Sequence, residues 1–127
     1  MKVIVYYNLH KHCWSIKAMA GENKGRVIGH ASYVEMRDVV GKVSKAGQAR
    51  VRKEQRKNVH AGIVGDMICF TRASLQTEDD MQSMVEDEYN EITYNPYKYD
   101  TFVYKDNGAE FKGSTKAVLI NRHVFVR

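Results

Sequence analysis

Residues Lys42 to Gly62 read KVSKAGQARVRKEQRKNVHAG, and this stretch decides the fold because its two halves follow different rules. The first half carries Lys42, Lys45, Arg50, Arg52, Lys53, Arg56 and Lys57 against one acid, Glu54. Ser44 reads as an N-cap, since its hydroxyl can accept from a free first-turn N–H. Gln48 to Lys57 are strong helix formers without a proline, so the spacing predicts a basic helix over 44–57 that stops at Asn58. At 3.6 residues per turn Ala46, Ala49, Arg50, Lys53 and Lys57 share one side, which suits an anion held close to the backbone. A solvated face, or one paired with acids of the chain itself, is the plainer reading. The second half turns β-branched and glycine-punctuated. Val59, Ala61, Ile63, Met67 and Cys69 alternate through Phe70, predicting a long strand with bends or close approaches at Gly62 and Gly65.

Working toward the N-terminus, Lys2–Asn8 and His12–Ala18 predict a hairpin, with Trp14 and Ile16 on one face. Gly21–Gly25 is a turn, Arg26–Glu35 a third strand, and Asp38–Lys42 the lead into the helix. Working toward the C-terminus, acids dominate 78–91 (Glu78, Asp79, Asp80, Glu86, Asp87, Glu88, Glu91) with no base among them. Thr77 with Asp80 predicts a short acidic helix with Met81, Met84 and Val85 on its apolar side. Its acids would neutralise the basic helix or form a lid, and they lack the spacing of a calcium loop. Asp106-Asn107-Gly108 is a turn, Val118–Arg127 is a final strand, and a hairpin between that strand and 99–105 is expected. The fold class is α+β: a mostly antiparallel sheet with one main basic helix and a short acidic one, in a single domain spanning 1–127.

The 127 residues are 43% hydrophobic and 28% charged, an ordinary globular composition, and the net charge of +5 favours anionic partners. Cys13 and Cys69 make no disulfide framework, and the apolar N-terminal stretch is too short for a signal or a span. Both point to the cytoplasm and to no membrane association.

No Gly-x-Ser-x-Gly, phosphate-loop or zinc-deaminase pattern occurs, and His10, His12, His30, His60 and His123 lack metal spacing. Neither a catalytic constellation nor a metal or cofactor site is expected. The anion-binding candidates begin with Arg122, which period two places on the face of Val118, Ile120, Val124 and Val126. A guanidinium there would answer to an acid from 78–91 or to a ligand phosphate, unless the strand ends early and leaves it exposed. Arg26 and His30 share a face with Ile28 and are second candidates. The tyrosines of the aromatic run 94–104 (Tyr94, Tyr97, Tyr99, Tyr104) and Phe102 are candidates to stack on a base, Asn95, Asp106 and Asn107 to bind base edges or ribose, and Arg50, Lys53 and Lys57 to bind phosphates. Core packing is the competing use of the aromatics.

Four strings carry a resemblance: VYYNLHK (5–11), GRVIGHA (25–31), VSKAG (43–47) and RKNVHAG (56–62). Together they resemble small phage-encoded proteins, and among them the first type of Thoeris anti-defence sponge, over about the first half of the chain. The resemblance implies an oligomer built from dimers that sequesters cyclic ADP-ribose-type signals, and in some members cyclic oligonucleotides, without cleaving them. It also implies a place in the cytoplasm of the infected bacterial host, and it assigns Arg26 and Arg122 to phosphates. Two other classes compete with it: a basic DNA- or RNA-binding protein acting through the 44–57 helix, and a protein inhibitor docking through its acidic face.

Overall fold

The computed structural model describes residues 1–71 and 75–127, without the side chains of 75–80. Among the described residues nine strands form one antiparallel sheet: β1 (Lys2–Asn8), β2 (Cys13–Ala18), β3 (Val27–Ala31), β4 (Tyr33–Val43), β5 (Ala61–Thr71), β6 (Asn90–Thr93), β7 (Val103–Tyr104), β8 (Ser114–Ile120) and β9 (His123–Val126). Their spatial order is β3-β2-β1-β5-β4-β8-β9-β6-β7. Two helices among the described residues, α1 (Lys45–Glu54) and α2 (Leu75–Glu88), complete the α+β fold.

Ser32 alone links β3, at one margin of the sheet, to β4 in its middle. One residue spans only about 3.5 Å, so the sheet must curl to bring the margin back. The Ser32 N–H donates to the Thr71 carbonyl at 3.1 Å and holds that corner. Inside the curl lie Val3, Val5, Trp14, Ile16, Ala31, Val34, Met36 and Ile63, continuous with Ala117, Leu119 and Ile92 further along the sheet. Behind β8 and β9 a second cluster (Val118, Ile120, Phe125) packs against Met81, Val85 and Tyr89 near α2. Burial on both faces explains why β8 ends in an unbroken apolar run, Ala117 to Ile120.

Several boundaries differ from the sequence reading. The expected third strand, Arg26–Glu35, is two strands kinked at Ser32, and Arg26 falls in the turn before the first. Asp38–Lys42 continue β4 instead of leading into the helix. Asp38 adopts a left-handed φ of 51° where the register against β5 shifts, and this bulge moves the buried side from Val34 and Met36 to Val39. A second shift, opposite Glu35 and Met36, breaks the β5 alternation, so Cys69 is exposed; Val59 precedes the strand and is exposed too. Ser44 caps α1 as expected, accepting from the Gly47 N–H at 3.2 Å. The helix closes at Gln55 (φ 54°), three residues before Asn58, so Lys57 is not on it. The acidic helix is the longer of the two and begins at Leu75; the expected Thr77–Asp80 capping contact lies outside the described residues.

The largest difference is at the C-terminus. Val118–Arg127 is no single strand: β8 and β9 form a hairpin in which Ile120 faces His123, with Asn121 (φ 50°) and Arg122 (φ 72°) as its two-residue turn. Two successive positive φ values mark a type I′ turn, whose twist matches the flanking strands. The hairpin expected between 99–105 and the last strand is absent, because β7 pairs with β6, and β6 with β9.

Candidate ligand-binding site

The geometry starts from a glycine. A Cβ on Gly47 would lie 2.5 Å from the Cβ of His60, so the first turn of α1 and the segment before β5 touch only because residue 47 has no side chain. Contact with α1 fixes His60. Its Nδ1 lies 2.7 Å from the Asn58 carbonyl, which can only accept, so Nδ1 carries the proton and Nε2 accepts from the Tyr94 hydroxyl at 2.7 Å. The same hydroxyl accepts from Gln48 Nε2 at 3.0 Å. Burial pushes the Tyr94 phenol above its ordinary pKa, against the Gln48 hydrogen bond, which lowers it.

Gln48 is buried, and its amide also reaches the carbonyls of Tyr99 (3.3 Å) and Asp100 (3.1 Å). Lys45 Nζ donates to the Asp100 carbonyl at 2.8 Å, and Arg52 donates to the Pro96 and Tyr99 carbonyls and to the Asp100 carboxylate at 3.0 Å. That hydrogen bond from Arg52 holds the Asp100 carboxyl below its usual pKa. Two of the helix's cations therefore serve to dock the 96–100 loop. Arg50 and Lys53 point to solvent, and among the described residues no ion pair joins α1 to α2.

The docked loop, the 57–63 segment and the end of β1 enclose a cleft of about 590 Å³. Aromatic side chains make much of its wall: Tyr6, Tyr7, Trp14, Tyr94, Tyr97 and Phe102. Tyr7 and Trp14 face one another across β1 and β2 and meet edge to face, with ring centroids 5.3 Å apart. The Trp14 indole N–H is buried with no hydrogen-bond partner among the described residues. At the mouth the Arg122 guanidinium lies 5.0 Å from the Tyr7 ring centroid and 3.4 Å from His12 Nδ1. Among the described residues no carboxylate pairs with it, whereas Arg127, five residues on, takes Glu88 at 3.3 Å. Glu91, also in the wall, is held by His123 at 2.8 Å and Lys105 at 3.5 Å.

Of the residues singled out from sequence, the cleft brings together Tyr94, Asn95, Tyr97, Phe102, Arg122 and Lys57. Phe102 is largely core, only 8% exposed, while Tyr97 is 59% exposed. Arg26, His30, Asp106, Asn107, Arg50 and Lys53 do not line it. His30 instead bonds Ser15 Oγ at 3.0 Å, and Asn107 closes its own turn by accepting from the Ala109 N–H. Arg122 is on no apolar strand face: it is exposed in the turn, the early strand end being the case that holds. Sequence reasoning missed Tyr7, Trp14 and His60 as a wall. The available signal was Gly47, a glycine inside a good helix sequence, which marks close packing.

All of residues 1–127 match the model of a family described as Mycobacterium phage L5 gene 82 protein. The chain belongs to this family. The gene 82 protein of Mycobacterium phage L5 itself is 40% identical over 125 residues, covering 94% of this chain and 90% of that protein. No solved structure matches. The matches make the chain a member of a phage protein family; they do not tie it to the Thoeris anti-defence sponges. Among the described residues, no helix is long and apolar enough to cross a membrane.

Proposed function

We propose that this phage protein is a non-catalytic binder that captures a compact anionic nucleotide in the aromatic cleft. Its ligand would be of the cyclic ADP-ribose class, withdrawn intact from a host effector. The observation that carries the reading is Arg122, held over the cleft mouth by Tyr7 and His12 with no carboxylate against it among the described residues. A fork-shaped cation so placed suits a phosphate, and the tyrosine faces beside it suit a base. The unpartnered Trp14 N–H adds a donor at the same wall. Self-association into an oligomer belongs to the same proposal, since a second copy would cover the exposed Tyr97 and Leu9 at the rim.

The test is titration calorimetry with cyclic ADP-ribose isomers, followed by heat release and chromatography of the ligand. Binding of one isomer and recovery of unchanged ligand support the proposal. Stoichiometric conversion to a linear product moves the protein into the enzyme class, and absence of binding to every isomer removes this ligand class. Nucleic-acid binding is the second reading, favoured by the solvent-facing Arg50, Lys53, Arg56 and Lys57. It predicts affinity that rises with oligonucleotide length and falls steeply with salt.

A further inference from the structure

A second cleft, of about 580 Å³, lies on the other side of the 57–61 segment, and its charge differs from that of the first. Its cationic lining is Lys17, Lys42 and Lys57, with His10 and His60 beside them, and among the described residues no aspartate or glutamate lines it. The sheet builds it strand by strand. Lys17 on β2 lies opposite Ile4 on β1, and Lys42 on β4 lies opposite Gly62 on β5. A Cβ on Gly62 would stand 2.9 Å from Ile4 Cγ1 and 2.8 Å from the Val5 carbonyl, so β5 packs closely against β1 beside Ile4, which lines the cleft, because residue 62 is glycine. Lys57 closes one side after α1 has ended, and His10 stands in the β1–β2 turn, where Asn8 Oδ1 accepts from the His10 and Lys11 N–H groups.

None of the three lysine ammonium groups has a hydrogen bond or ion pair among the described residues, although Lys17 is only partly exposed. Like charges converging on one concave space repel, and an anion between them reverses the sign of the interaction. Ammonium groups on flexible stems act as point charges and adapt to several closely spaced oxygens, whereas a guanidinium fork favours one planar partner. We propose that this cleft is an oligophosphate site, taking a compact pyrophosphate or triphosphate group. The inference does not depend on what the aromatic cleft binds, since Arg122 and Trp14 line only that one.

The test is calorimetric titration of the wild-type chain with inorganic tripolyphosphate, adenosine triphosphate and sulfate at moderate salt. It is repeated with Lys17→Gln/Lys42→Gln, with the exposed Lys42→Gln alone and with Arg122→Ala. The expected result is one saturable tripolyphosphate site, weakened about tenfold or more by the double change, partly by Lys42→Gln, and less than about twofold by Arg122→Ala. Equal affinity for adenosine triphosphate identifies a site for the phosphate chain alone, and tighter binding that Lys17→Gln/Lys42→Gln weakens identifies a nucleotide tail; both uphold the proposal, whereas adenosine triphosphate binding that only Arg122→Ala weakens belongs to the aromatic cleft and counts against it. Sulfate binding as well as tripolyphosphate, lysine variants that bind normally, or a loss caused by Arg122→Ala instead would overturn it. Circular dichroism confirms that each variant is folded, and Lys42→Gln alone settles the matter if the double variant is not.

Discussion

The two helices are attached to the same sheet by a different balance of contacts. α2 rides mainly on apolar contacts, Met81, Val85 and Tyr89 against Val118, Ile120 and Phe125, adds the Arg127–Glu88 pair and the Asn121–Gln82 hydrogen bond, and leaves Glu86 and Asp87 exposed. α1 buries only Gly47, Gln48 and Val51, and is fastened by Gln48, Lys45 and Arg52 to loop carbonyls. Apolar contact is non-directional and tolerates small shifts, whereas hydrogen bonds to particular carbonyls fix a position. The helix beside both clefts is the one held directionally, with Val51 in the wall of the first and Ser44 in that of the second. α1 therefore sets the shape of the clefts, and α2 serves mainly to cover the back of β8 and β9.

The strongest challenge to that division is Gly47→Ala. Alanine favours a helix by about 1 kcal/mol over glycine. Here its Cβ would stand 2.5 Å from the His60 Cβ, and neither atom is the end of a flexible chain. Overpacking costs about 1–3 kcal/mol, so a net loss in urea-unfolding stability is expected, together with displacement of His60 from Tyr94. A stabilised variant would mean that α1 and the 57–61 segment move freely past each other.

Next come Gln48→Leu and Met81→Ala, one anchor from each helix. Gln48→Leu removes its hydrogen bonds to the Tyr94 hydroxyl and to the Tyr99 and Asp100 carbonyls, which Arg52 and Lys45 still reach, and should cost about 0.5–1.5 kcal/mol. Met81 is half-buried, so Met81→Ala should cost about 1–2 kcal/mol, the lower part of the range for core truncations. The comparison sharpens on ligand binding. Gln48→Leu should weaken capture in the aromatic cleft, while Met81→Ala should leave affinity unchanged at a similar loss of stability. Equal effects of the two on binding would end the distinction between the helices.

Acid should separate them by a smaller effect. The Arg52 hydrogen bond keeps the Asp100 carboxyl below its ordinary value of 3.8, so the folded state binds that proton less readily than the unfolded chain. The contribution of the pair is thus complete above the unfolded value and is lost as pH falls through the folded one. Asp100 is exposed, so the effect on global stability is small. Amide exchange across α1 should nevertheless rise below about pH 3.8 relative to that across α2. Parallel loosening of both helices would show that the Arg52–Asp100 contact does not anchor α1.

The sequence made the antiparallel sheet, the N-terminal hairpin, the Ser44 cap and the basic helix legible, because periodicity and capping are local. It did not show the bulge at Asp38 or the turn at Asn121–Arg122, each of which switches the phase of an alternating pattern. Asn-Arg is not the Asn-Gly that usually announces a type I′ turn, so the valines on either side read as one strand. Half of the aromatic cleft was hidden for a different reason. Trp14, His60 and Tyr94 come from three distant segments, and only the sheet order and the close approach at Gly47 bring them together. The bases of α1 suggested an anion site on the helix itself, but Arg52 and Lys45 answer to loop carbonyls that no pattern in the sequence paired with them.

The smallest effect on stability, and the most selective on binding, is expected from Arg122→Ala. Had Arg122 faced the core among valines, removing it would have left a buried acid unpaired at a cost of about 3–5 kcal/mol. In the turn it gives up only its contact with Tyr7, worth about 0.5–1 kcal/mol at an exposed site, and it leaves the positive φ as it was, because alanine is no better suited to φ 72°. The melting temperature should therefore hardly move. Affinity for a phosphate-bearing ligand in the aromatic cleft should fall by about 1.5–3 kcal/mol, the worth of a charge-assisted hydrogen bond. Arg122→Lys should recover part of this, keeping the charge and losing the fork. Arg122→Gly makes the same deletion while suiting the turn, so it should match Arg122→Ala in binding and exceed it in stability. A folded Arg122→Gly protein that binds fully would take Arg122 out of the site, and with it the observation on which the capture of a nucleotide rests.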